Sequence, residues 1–563
     1  MTHFQWRKFN FFDMEKDVDQ GALAEILGPD VEVTALTGGR GLLLIGDSIG
    51  RLHLLDRRMN QKTLNVFTGS CVKLVNRATK SGLIVCVSGS TSDNVVKIYD
   101  IDKKEKNSDL PCLVRSTRLN HAPGTPTALA IDDESQLVAV GFDNGTLILL
   151  RGDLRRDRGS RQKALVTGTA TSGVGISGVA FRSSYLYVAS TREVLLFNTS
   201  AKDKETCTRL DDIGCDAGLT VATEGLQEAH FATARQDAVY FYSSDGRGQC
   251  YAVEGEKSQI FWFRHYFVIL VKETPAWSRA SADLHKGSKE DRFTLSIFDV
   301  HNKFIAFHVP VKPIKAMASE WGLLYGLGTD GKLFHLTEKD IQTKLDLLFK
   351  KNFYDIAIKI AKSNQYDAES LVDIFRQYGD HLYNKGDNSG AIENYIKTIG
   401  HLEPSYTIKR FLDAHKIHYL TAYLQALHKE GLANEDHTTL LLNCYTKLKD
   451  QSKLDEFIFK EQEQVDFDVE VAIKVCRHAG YNDHALELAR KHNLHDWYLQ
   501  IQLDDMQNYP DGLDYISNLN FEPAESNMRK YGAALIKNLP EKTTNLLKVN
   551  ESCYIELFFC STN

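Results

Sequence analysis

One unit recurs seven times along the first 340 residues: an apolar strand, a polar turn and a second apolar strand. It reads GLLLIGDSIGRLHLLD at 41–56, LIVCVSGSTSDNVVKIYDID at 83–102, LVAVGFDNGTLILLRGD at 137–153, YLYVASTREVLLFNT at 185–199 and AHFATARQDAVYFYSSDG at 229–246. The sixth copy runs from YFVILVKE (266–273) across a polar insertion to RFTLSIFDVHN (292–302), and the seventh is GLLYGLGTDGKLFHLTE at 322–338. The turns fall near Asp47, Ser92, Asp143, Arg192, Gln236, Asp283 and Asp330, about 45 to 51 residues apart. That is close to the length of one four-stranded propeller blade. Seven units predict a seven-bladed, WD-like β-propeller over residues 1–339, closed radially so that few strand edges stay open.

Local chemistry agrees with that reading. Segments such as GTLILLRGD and KLFHLTE alternate with period two, as half-buried strands require. Asn144-Gly145 and Asp330-Gly331 supply the positive φ that tight hairpins need. Tyr99-Asp100 and Phe298-Asp299 stand where the Trp-Asp of a WD repeat would fall, so the repeat is degenerate. The apolar stretch at 4–12, FQWRKFNFF, is expected to close the ring by pairing into the last blade, and the polar stretch 275–292 to form a long mobile loop.

After Asp340 the period changes to that of helices. In YDIAIKIAKSN, Ile356, Ala357, Ile360 and Ala361 recur every three to four residues. A second copy follows as NDHALELARKHN: Asp355, Ala357, Ile358, Ile360 and Ala361 correspond to Asp483, Ala485, Leu486, Leu488 and Ala489. Between them Phe375, Tyr378-Gly379, Leu382, Ala391 and Tyr395 occupy the aromatic and small positions of a tetratricopeptide unit, with Pro404 displaced by one. Helix pairs of this kind bury their apolar faces only by stacking. Residues 340–548 are therefore expected to form an α-solenoid of clathrin-heavy-chain and tetratricopeptide-like pairs, roughly thirteen helices long. Asn434, Asp466 and Pro510 read as helix starts, Gly431 and Gly480 as stops. Residues 549–563 are a divergent tail with an apolar knot at Ile555, Leu557, Phe558 and Phe559.

Motifs for chemistry are sparse. The ten cysteines, 71, 86, 112, 207, 215, 250, 444, 476, 553 and 560, include no CxxC pair, which predicts buried free thiols and no metal site. Gly173, Gly175 and Gly178 satisfy GxGxxG, but a strand-like VAFR follows where a dinucleotide site needs a helix, so a propeller loop is the better reading. There is no phosphate-binding GxxxxGK[ST], no HExxH and no GxSxG. His415, His418 and His428, and the group His484, His492 and His495 beside Trp497, read as surface or packing residues. The run RGDLRRDRGSRQK at 151–163 carries six basic and two acidic residues. It reads as a solvated loop between blades in preference to a patch for acidic lipids or partners. Asn144 and Asn198 head glycosylation-type triplets that a cytosolic chain would not use. A net charge of −7 argues against a general nucleic-acid binder. No apolar run reaches the roughly 18–20 residues that span a bilayer, and the N-terminus lacks a signal-peptide core.

The blocks QWRKFNFFD, QTKLDLLFKKNFYDIAI, YGDHLYNKGDNSGAIENYI, GHLEPSYTIKRFLDAHKIHYLTAYLQALH, DHTTLLLNCYTKLKD and AESNMRKYG resemble the vacuolar protein sorting-associated protein 11 family over roughly residues 3–548. That resemblance implies a scaffold subunit of the HOPS and CORVET tethering complexes. Its implied work is vesicle docking and fusion, endosome-to-lysosome transport and autophagosome–lysosome fusion. The implied partners are other class C tethering subunits and, indirectly, Rab-family GTPases and SNAREs, with no nucleic acid. The implied location is cytoplasmic, peripheral on endosome and lysosome or vacuole membranes. Members of the family continue to a C-terminal RING-type zinc domain. This sequence departs near Val549 and supplies no such ligands, so a shortened form without ligase activity is expected. No catalytic, cofactor or metal residue is assigned, and exposed aromatic side chains are where partner contacts are expected. The alternative is a vesicle-coat subunit, which shares the propeller–solenoid order.

Overall fold

The computed structural model describes residues 6–548 except 17, 19–22, 24–27, 29, 79, 92, 106–107, 121–123, 133, 135, 157–160, 167–173, 201–205, 225–229, 274–291 and 460–467. The chain divides into two compact units, Met1–Lys344 and Leu345–Asn563.

The first unit is a seven-bladed β-propeller. Its antiparallel sheets comprise residues 33–65, 72–118, 126–166, 176–211, 220–252, 256–311 and 314–338. The seven apolar–turn–apolar units are the two central strands of each blade, such as Leu137–Phe142 paired with Thr146–Arg151. These strands are buried almost throughout, because neighbouring blades cover both faces. Tyr99-Asp100 lies within the third strand of its blade, Val95–Lys104, and Phe298-Asp299 ends the third strand Phe293–Asp299 of another. Both carboxylates are buried and accept from backbone just downstream, Asp100 from the Asp102 N–H of the same strand and Asp299 from the Asn302 N–H in the turn that follows.

A second repeat lies in the inner strands. In six blades the innermost strand slips register near its start, at Val33/Ala35, Val72/Leu74, Pro126/Ala128, Ile176/Gly178, Lys257/Gln259 and Ile314/Ala316. The residue bulged out can then reach the next blade. Thr34 donates its Oγ1 to the Val72 carbonyl at 2.6 Å, and Thr127 donates to the Ile176 carbonyl at 2.6 Å. The same joints need a glycine on the neighbouring strand. A Cβ on Gly46 would lie 2.8 Å from Val72 Cγ1, and one on Gly141 2.6 Å from Ile176 Cγ2.

Ring closure differs from the sequence expectation. Arg7–Lys8 run parallel to Phe304–Val311 as a fifth strand on the sixth blade, while Phe12–Lys16 pair antiparallel with Leu333–Glu338 and complete the seventh. The segment expected to close the last blade thus lies mostly on its neighbour, and closure falls to the residues after it. Aromatic packing sets this register. Phe9, Phe11 and Phe12 are buried, and Phe9 and Phe11 both meet Phe304 edge-on at 5.3 and 5.5 Å. The seventh blade ends in a buried ionic knot. Glu338 accepts from Tyr266 Oη at 2.7 Å and pairs with Arg264 and with Lys344. Burial alone would raise its pKa. Contact with Lys344 and Tyr266 outweighs that and holds the carboxyl below the usual range.

The second unit is helical. Among the described residues thirteen α-helices run from Ile341–Lys350 to Phe521–Asn538, and residues 540–548 are helical beyond them. Helices Ala368–Asn384 and Asn388–Ile396 form the tetratricopeptide-like pair, with Gly379 seated against the Tyr395 ring and Pro404 opening the next helix. The two related segments are helices Tyr354–Ser363 and Asn482–Lys491. Ala357, Ala361, Ala485 and Ala489 are all fully buried. Each helix follows an aromatic N-cap, Phe353 or Tyr481, and ends before a positive-φ residue, Gln365 or Asn493. Asn434 caps its helix through a reciprocal bond with His437, and Pro510 lies in the first turn of Tyr509–Ser517. Gly431 and Gly480 take positive φ just past helix ends. Asp466 lies outside the described residues, and the cap of Val469–His478 is Asp468, which accepts from the Val471 N–H at 3.1 Å.

Candidate interaction surface

The residues singled out in the sequence serve local structure. Gly175 and Gly178 open strand Ile176–Arg182, which turns into another strand; Gly173 lies outside the described residues. A Cβ on Gly178 would collide with Thr220 of the next blade, so this glycine allows blades to meet. Asn144 and Asn198 each accept from a backbone N–H two residues on, at 2.9 and 3.0 Å, and so shape turns.

The basic run belongs to a single blade. Thr146–Arg151 and Arg161–Val166 pair with each other, so the loop joins two strands of one sheet and does not connect blades. Leu154 is buried and anchors it. Arg155 reaches the buried Asp100 of the preceding blade at 3.5 Å, Arg156 reaches Asp153 at 3.6 Å, and Arg151 donates to the Thr199 carbonyl at 3.0 Å. These three arginines hold protein acceptors.

Eight cysteines are described and all are free. Cys86, Cys215, Cys444 and Cys476 are buried, Cys71 and Cys112 half-buried, but Cys207 and Cys250 are exposed, against the expectation of buried thiols. Cys207 and Cys250 lie on outermost strands, Thr206–Asp211 and Gly246–Ala252, where one face meets solvent. Cys553, Cys560 and the tail at 549–563 lie outside the described residues, as does the insertion at 275–291. Burial pushes the Cys86 thiol up to about 12 and those of Cys215 and Cys476 up to about 11. His484 is bound to Asp455, His495 to Tyr515 at 2.9 Å and His428 to Thr438 at 3.4 Å. Among the described residues no group of His, Cys, Asp or Glu could hold a metal ion, and no helix is long and apolar enough to cross a membrane.

The surface side chains that could anchor a partner are aliphatic, where aromatic ones were expected. Ile49, Leu113 and Ile213 (58% exposed) stand out on the propeller. Leu412 (63%), Leu432 (51%), Met506, Ile536 and Leu547 do so on the helical unit. None of the Phe, Tyr or Trp side chains whose burial is described is exposed, because they fill blade joints and helix contacts, as Tyr395 and Tyr423 do. The helical unit also carries a shallow groove of about 340 Å³ between helices Glu435–Leu448 and Val469–His478. Nothing in the sequence pattern marked it, because its residues come from two helices more than twenty positions apart.

Comparison with known proteins gives this geometry its family. The model described as PEP5/VPS11 N-terminal matches residues 6–338, and that described as PEP5/VPS11 clathrin repeat matches 383–556. The chain is 40% identical over 570 residues to the vacuolar protein sorting-associated protein 11 homolog of Mus musculus, covering 97% of this chain and 60% of that protein. The Dictyostelium discoideum homolog is 39% identical over 96% of this chain and 59% of its own length, and the Arabidopsis thaliana homolog 36% over 97% and 58%. The chain thus spans about 60% of the length of these relatives. With both modules matched in order, the chain belongs to the vacuolar protein sorting-associated protein 11 family.

Proposed function

We propose that the chain is a scaffold subunit of an endosomal and lysosomal membrane-tethering complex of the HOPS and CORVET type. In this reading it supports vesicle docking and fusion, endosome-to-lysosome transport and autophagosome–lysosome fusion. The observation that carries the proposal is the match, in order, of the propeller and clathrin-repeat modules to one sorting family. The working parts are residues 1–339 as a propeller, 340–548 as a solenoid and 549–563 as a divergent tail.

The mechanism is mechanical and involves no turnover. A closed propeller offers rigid faces, and a stack of helix pairs offers a long surface for extended partner segments. Other class C tethering subunits bind directly. Rab-family GTPases and SNAREs are engaged through them, and the chain is cytoplasmic and peripheral on endosome and lysosome or vacuole membranes. Affinity capture of the tagged chain from cytosol tests this. Recovery of class C subunits is expected. Recovery of none, or concentration-dependent self-assembly of the purified chain into lattices, would instead favour a coat subunit of the same architecture.

A further inference from the structure

Helices Glu435–Leu448 and Val469–His478 pack side by side, and the groove between them has an apolar floor and a rim of basic residue types. Val471, Val475 and Ala479 form the floor, at four-residue steps along one stripe of the second helix. The adjoining stripe of that helix, Ala472, Ile473 and Cys476, is buried in the core, so the valines are left half open. Lys447 from the first helix and Lys474 and His478 from the second form the rim. The Lys474 ammonium lies 5.3 Å from the Trp497 ring centroid and 4.0 Å from the Glu470 carboxylate one turn away. His478 Nδ1 is 2.7 Å from the Lys474 carbonyl, which can only accept, so Nδ1 donates and Nε2 is left to serve a ligand.

Lysine and histidine in the last turn of a helix complement its dipole. That accounts for Lys447 and His478, but it does not account for two β-branched apolar side chains held half open between the cations. A purely solvated face would carry polar residues there. We propose that this groove docks an extended acidic peptide segment of a partner protein, with an aliphatic side chain over Val471 and Val475 and carboxylates against Lys447 and Lys474. At about 340 Å³ the groove is at the low end for ligand sites, roughly 300–1,000 Å³, so it takes one or two side chains. The rim is positive on a chain of net charge −7, which directs a negative ligand to this place. An anionic bilayer fits less well, since surfaces that bind one carry clusters of about four to eight basic residues, more than line this groove. The inference stands apart from the identity of the assembly.

Fluorescence anisotropy with the full chain tests it. The probe is a dye-labelled dodecapeptide with a central Leu-Leu flanked by Asp and Glu. The same peptide with Lys for each acidic residue, and one with Ser for both leucines, are the controls. The acidic Leu-Leu peptide is expected to bind best, and less tightly as salt rises. Lys447→Glu with Lys474→Glu is expected to weaken it about tenfold or more, since two exposed attractions become repulsions. Lys447→Arg with Lys474→Arg, and Lys385→Glu elsewhere on the helical unit, are expected to leave it unchanged. All these sites are exposed, so the variants keep the fold. Equal binding of the Lys-substituted peptide, indifference to the double Glu variant, or binding only to vesicles containing phosphatidylserine would each overturn the proposal.

Discussion

Glu338 ends the last strand of the seventh blade, where Tyr266, Arg264 and Lys344 converge on one buried carboxylate. Replacing it by Ala leaves the buried Lys344 without its partner. Such a loss costs about 3 kcal/mol, and the Glu338→Ala thermal transition is expected several degrees below wild type. The pH dependence has a definite sign. The folded pKa is depressed, so the carboxylate's contribution is fully present above the ordinary value of about 4.3 and is lost as pH falls through the lower folded value. The melting-temperature gap between wild type and Glu338→Gln should therefore hold constant down to about pH 4.3 and shrink below it. The cysteines divide in the same residue-by-residue way. In a brief iodoacetamide pulse read by peptide mass spectrometry, Cys207 and Cys250 should be alkylated first among the described cysteines. Cys86, Cys215, Cys444 and Cys476 should react only once the chain is unfolded. Sequence spacing ruled out CxxC pairs but carried no sign of which thiols sat on outer strands.

The central strands of the blades were legible from sequence because they are apolar on both faces and end at recognisable turns. The flanking strands were not. Outer strands such as Gln61–Asn65 and Gly246–Ala252 meet solvent and read as polar loops, and the inner strand Thr220–Ala222 has only three residues. This is also why the loop at 151–163 read as a link between blades: its partner strand Arg161–Val166 carries no apolar alternation to announce it. Closure was misplaced by a few residues because both the sixth and the seventh blade take a strand from the N-terminus. The helical repeat was legible down to its alanines, Ala357, Ala361, Ala485 and Ala489, all fully buried. Gly379 makes this testable. Helix propensity alone favours Gly379→Ala by about 1 kcal/mol. The new Cβ would lie 2.8 Å from Tyr395 Cε1, however, and Tyr395 is fully buried with its hydroxyl donating to Asp380 at 2.6 Å. The ring cannot retreat, and overpacking of this kind costs roughly 1–3 kcal/mol. Gly379→Ala should destabilise the helical unit, by about 1 kcal/mol net, in urea unfolding followed by circular dichroism. In the propeller, Thr127→Val should cost about 1 kcal/mol through the lost bond between blades.

Several histidines are held neutral across the whole molecule. Burial pushes His53, His230, His308, His428 and His437 below the ordinary histidine value. For His53 the adjoining Asp47 opposes that shift without reversing it. The unfolded chain binds protons below about pH 6.5 while the folded chain resists them, so stability holds above that pH and falls below it. Melts at pH 7.5, 6.5 and 5.5 should show little change over the first step and a clear decline over the second, at most about 1.4 kcal/mol per histidine per pH unit. A groove assembled from Lys447 and Val475 on separate helices becomes visible only in three dimensions. Family membership, by contrast, was readable from blocks of sequence. Whether this propeller and solenoid scaffold a tethering complex is decided by mixing the purified chain with purified class C tethering subunits and measuring mass by light scattering during size exclusion. A stoichiometric complex heavier than the 63.5 kDa chain is expected, stable at sub-micromolar concentration. Elution of the chain alone at its own mass, with each subunit tried, would contradict it.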